Sequence, residues 1–62
     1  MSSRDIIAAL ERAGWYEVNR KGSHVQFKHA TRPGRVTVPH PHRDIPIGTV
    51  KNIEKQSGLA LR

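Results

Sequence analysis

The chain has 62 residues, 11 Lys and Arg against 5 Asp and Glu, a net charge of +6 and no cysteine. A chain this short makes one domain spanning residues 1–62, burying only about 60% of its unfolded surface, and without cysteine neither disulfides nor thiolate metal sites reinforce it. No apolar stretch approaches the ~20 residues that cross a bilayer and no signal segment leads the chain, so the expectation is a soluble, cytoplasmic protein with no membrane partner, whose positive charge attracts an anion, nucleic acid first.

Ser2 or Ser3 is a suitable helix N-cap, with Asp5 at capping-box distance from Ser2 and an acidic charge that suits the first turn. Ile6, Ile7, Leu10 and Ala13 recur at helical spacing, and Gly14 follows as the left-handed stop. Trp15 then folds back on Leu10 and is read as structural rather than as a base-stacking ring.

From Trp15 onward the period changes to alternation. The pattern predicts strands over Tyr16 to Arg20, His24 to His29 and Arg35 to Pro39, with Lys21 and Gly22 as the first turn and Pro33 and Gly34 in the second. Tyr16, Val18, Val25, Phe27, Val36 and Val38 form the expected apolar face, and Glu17, Asn19, His24, Gln26, Lys28, Arg35 and Thr37 the polar one.

Pro39 to Pro46 carries three prolines and is expected to leave the sheet as an extended loop. A second helix follows, with Ile47, Val50, Ile53 and Leu59 as its stripe, Pro46 near its start, Asp44 as a candidate cap and Gly58 at its end. The expected class is α+β in the order α-β-β-β-α, a three-stranded antiparallel sheet with two helices on one face, as in double-stranded-RNA-binding domains.

The chemistry concentrates at Gly22-Ser23-His24. Imidazole titrates near neutrality, so His24 can serve as base or acid without a large shift, and on an open sheet face it lies where a polyanion would run. Cleavage of RNA without a metal or cofactor needs the 2′-hydroxyl deprotonated and the anionic phosphorane stabilised. His24 is the candidate for the first task. Arg20, Lys21 and Lys28, with Gln26 on the same face and donors around Gly22 and Ser23, are the candidates for holding RNA. His29 falls on the opposite face by alternation and reads as a packed or edge residue. His40 and His42 have only Asp44 to join them, too few for a zinc site, so they read as a stiff polar loop that touches RNA or a protein partner.

Gly14-Trp15, Gly22-Ser23-His24, Gly34-Arg35-Val36-Thr37-Val38-Pro39-His40, Ile47-Gly48-Thr49-Val50 and Gln56-Ser57-Gly58-Leu59, in this order, resemble the HicA-type toxins from about Ser3 to Leu59. The resemblance implies a messenger-RNA-cleaving toxin with a double-stranded-RNA-binding-like fold, a catalytic histidine at His24, and a HicB-type antitoxin that covers it. No function attaches to Ala60, Leu61 and Arg62. Two functions compete on these residues: a metal-independent endoribonuclease, and a module that binds RNA by shape and phosphate contacts without cutting it.

Overall fold

In the computed structural model, which describes residues 1–62, helix α1 (Ser3–Arg12) begins where the Ser2 hydroxyl accepts the Asp5 N–H at 3.2 Å. It ends at Ala13, and Gly14 turns the chain with φ +96°. That position needs glycine twice over. An L-residue resists such a φ, and a Cβ there would stand 2.8 Å from His29 Nε2.

Three antiparallel strands follow, β1 (Trp15–Lys21), β2 (His24–His29) and β3 (Val36–Pro39), in the order β1-β2-β3. Lys21 pairs with His24, so the turn is Gly22-Ser23 rather than Lys21-Gly22. Gly22 is at φ +58° and Ser23 is not at positive φ, which is the pattern of a type II′ hairpin. Helix α2 (Ile47–Ser57) completes the order α-β-β-β-α expected from the sequence.

The register corrects the expected face of β1. Residues directly opposite share a face. Trp15 pairs with His29, Glu17 with Phe27 and Arg20 with Val25, and Val25 and Phe27 are core residues, so Glu17 and Arg20 belong to the helix side. Tyr16 pairs with Lys28 and Asn19 with Gln26 on the open side. A bulge between Glu17 and Asn19 absorbs Val18 and reverses the phase, which a strict two-residue period does not anticipate. Tyr16 and Val18, expected inside, are 50% and 40% exposed. The bulge also puts Glu17 and Arg20, three apart, on one side, where they form an ion pair at 3.3 Å.

Both helices pack on the same face of the sheet. Ile6 and Leu10 of α1, Val50 and Ile53 of α2, and Trp15, Val25, Phe27, Val36 and Val38 of the strands form one core with Ile45. Ile47, expected in the stripe of α2, is 59% exposed, and Ile45 fills that place. The cause lies in the approach to the helix: Ile45 N–H donates to the Met1 carbonyl at 2.8 Å, which turns Ile45 inward before Pro46 opens the helix. Asp44 does not cap α2 but accepts from the N-terminal ammonium at 3.2 Å.

The chain end folds back rather than trailing. Glu54 accepts the N–H groups of Leu61 at 2.7 Å and Arg62 at 3.2 Å, and Arg62 Nε at 2.9 Å. The Leu61 N–H is the main reason its carboxyl lies below the ordinary value, against the opposing effect of desolvation. No helix is long and apolar enough to cross a membrane.

Candidate active site

β2 starts at His24, immediately after the tight turn that Gly22 allows, and its ring is exposed. The side-chain hydrogen bonds made by imidazoles in this fold belong to His29 and His40, not to His24. Strand alternation and register then populate its face. Tyr16, Asn19, Lys21, His24, Gln26, Lys28, Thr37 and Pro39 all lie on the open side. None of these is acidic. Asp5 and Glu11 lie on α1, Glu17 on the helix side of β1, Asp44 in the loop and Glu54 on α2. The fold thus separates a cationic sheet face from its carboxylates, which favours an extended anion there.

Lys21 sits directly across from His24 at the hairpin end, where cross-strand Cβ atoms lie about 5 Å apart. Lys21 is thus the cross-strand cation neighbouring the imidazole. Lys28 shares the face at the other end of β2 and is exposed. Gln26 is half-buried in the middle, and its Oε1 accepts Arg35 Nη1 at 2.7 Å, which brings a further cation over this face. Gly22 and Ser23 are exposed at the turn, and the Ser23 carbonyl is taken by the His40 N–H at 2.7 Å. Arg20 is not gathered with the others. It lies on the helix side of the sheet and holds Glu17.

Tyr16 is the member of this face that alternation alone misplaced. The usable signal was Trp15: taken as the first inward residue of β1, it sends Tyr16 outward, where a half-exposed ring beside Lys28 offers a base a stacking surface.

Of the other three histidines, His29 and His40 are bonded through their rings, and His42, exposed like His24, lies in the loop after β3 rather than on the open sheet face. His29 Nε2 donates to the Ala13 carbonyl at 2.9 Å, its Nδ1 accepts the Thr31 N–H at 3.1 Å, and its ring tilts against Trp15 at 5.2 Å between centroids. It is the packed residue that alternation predicted. His40 is half-buried, its Nδ1 2.7 Å from Ser3 Oγ, and His42 is exposed with its backbone paired to Ser3. No three His, Asp or Glu side chains converge anywhere in the fold.

A family model described as HicA toxin of bacterial toxin-antitoxin matches residues 3–59. Among the curated proteins compared with the chain, none matches.

Proposed function

The chain belongs to the HicA family of toxins from bacterial toxin–antitoxin pairs, and from that membership we propose that it is a metal-independent endoribonuclease that cuts messenger RNA by proton transfer through His24. The observation that carries this reading is an imidazole the fold does not use, exposed at a hairpin end on a cationic face free of acids.

Neutral His24 takes the proton from the 2′-hydroxyl of the bound ribose, and the 2′-oxygen attacks the adjacent phosphorus. As the new P–O bond forms, the bond to the 5′-oxygen of the next nucleotide breaks, and that oxygen takes a proton from water. The products are a 2′,3′-cyclic phosphate and a 5′-hydroxyl. Lys21 offsets the charge that grows on the phosphorane oxygens. Lys28 and Gln26 hold the chain farther along β2, the exposed turn at Gly22 and Ser23 contributes donors, and Tyr16 stacks a base. Arg20, engaged by Glu17 on the helix side, is not part of this grip.

The same face explains inhibition by a partner. An acidic surface laid over Lys21, His24 and Lys28 would block substrate without unfolding anything, and we assign that role to a HicB-type antitoxin. The test is purified protein with RNA and excess chelator. Cleavage that persists and leaves 2′,3′-cyclic phosphate ends supports the reading, whereas intact RNA with salt-sensitive binding replaces it with a non-cutting RNA-binding module.

A further inference from the structure

On the far side of the hairpin end from His24 lies an open cleft of about 420 Å³ between the start of α1 and the loop after β3. Its side chains include Arg4, His40, His42 and Arg43, and no carboxylate lines it. Two arginines around one small polar hollow repel each other, two imidazoles stand beside them, and none of the four is needed to close the core. Such an arrangement suits an anion.

One wall is built with care. Ser3, only 2% exposed, accepts the His42 N–H on its Oγ at 2.9 Å, and the same oxygen lies 2.7 Å from His40 Nδ1. A buried hydroxyl that already accepts one bond directs its own proton to the remaining acceptor, so Ser3 donates to Nδ1 and His40 carries its proton on Nε2. His40 therefore presents a donor in a fixed orientation even when neutral. At the start of α1 the Ser3 N–H is taken by the His42 carbonyl at 2.8 Å and the Asp5 N–H by Ser2, so neither is left to a ligand.

The cleft is coupled in position to the candidate nuclease centre. Pro39 pairs with His24, and the next residue, His40, donates its N–H to the Ser23 carbonyl at 2.7 Å. Alternation sends His40 to the helix side and His24 to the open side of the same sheet end. The end of the open face and the edge of the cleft are thus joined through consecutive residues, Pro39 and His40.

We propose that this cleft is a second phosphate-binding subsite, in which Arg4, Arg43 and the Nε2–H of His40 hold a phosphodiester of the RNA beyond the bond cut at His24. The proposal rests on the nuclease reading, and the experiment separates the two. In a His24→Ala background, which binds RNA without cutting it, the joint change Arg4→Ala with Arg43→Ala is compared with Arg12→Ala with Lys55→Ala, an equal loss of charge on exposed helix positions away from the cleft. The first pair lowers the slope of log affinity against log salt by about 0.7 for each phosphate no longer held, and the second does not. In parallel, inorganic phosphate titrated into the unaltered protein shifts the ring signals of His40 and His42 saturably and leaves His29 unmoved.

Equal slopes for the two pairs overturn the proposal. If the His24→Ala protein binds no RNA at all, the nuclease reading falls, and the phosphate titration then stands alone: saturable shifts at His40 and His42 keep the cleft as an anion site, and their absence removes it.

Discussion

The two ends of β2 carry the same residue in opposite circumstances. At one end His29 has both ring nitrogens engaged, by the Ala13 carbonyl and the Thr31 N–H, and a face against Trp15. At the other, His24 is exposed beside a lysine and bonded to nothing in the fold through its ring. An imidazole whose nitrogens are spent on the protein ties elements together, while one whose nitrogens are free is available to a substrate. Residue type does not distinguish them; the number of engaged nitrogens does.

Replacing each in turn is the most direct way to break that contrast. His24→Ala is expected to lower RNA cleavage by about 10²- to 10⁴-fold, the worth of one acid–base group, with thermal unfolding within the change of about 0.5 kcal/mol typical of exposed sites. A comparable loss of folding would show that His24 is structural after all. His29→Ala should do the reverse. Leaving the Ala13 carbonyl without its partner costs about 1–3 kcal/mol, which for a domain this small lowers the melting temperature by about 4–8 °C per kcal/mol, while cleavage per folded molecule is unchanged. Activity lost in proportion beyond the unfolded fraction would place His29 in the reaction.

The open and covered faces can be compared in the same way. Tyr16→Ala is expected to weaken binding of single-stranded RNA by about 1–3 kcal/mol, the range for one base-stacking ring, with no change in the salt slope, because stacking releases no counterions. An unaltered affinity would remove Tyr16 from the interface.

The smallest effect concerns the chain end. Because the carboxyl of Glu54 lies below its ordinary value in the folded protein, its contribution to stability is complete above the unfolded carboxylate value and is lost as pH falls through the lower, folded one. Melting of the unaltered protein should therefore decline more steeply on acidification than that of Glu54→Gln. Parallel curves would show that the clamp on Leu61 and Arg62 carries no proton linkage.

Local patterns settled most of the elements. The Ser2 cap, the Gly14 stop, the hairpin containing Gly22, the loop after β3 and the Gly58 cap all depend on residues within a few positions of one another, so a linear reading finds them. The position of His24 was legible for the same reason, since it comes just after the Gly22-Ser23 turn and opens an alternating strand. What escaped were positions decided by partners distant in sequence. Val18 is absorbed by a bulge that exists only because Glu17 and Asn19 meet β2 out of step. Ile45 displaces Ile47 from the core because its N–H is held by Met1.

The residues by themselves determined the order of helices and strands, the excess of positive charge, and the place of His24 at the start of an alternating strand, because periodicity, turn chemistry and charge are properties of short stretches. Only the tertiary structure decided which side of β1 faces outward, that Arg20 is held by Glu17 away from His24, and that Ser3 orients His40 over a cleft lined by Arg4 and Arg43. Each of these depends on register or on a hydrogen bond made when the fold closes, such as that between Ser3 and His40, residues 37 positions apart.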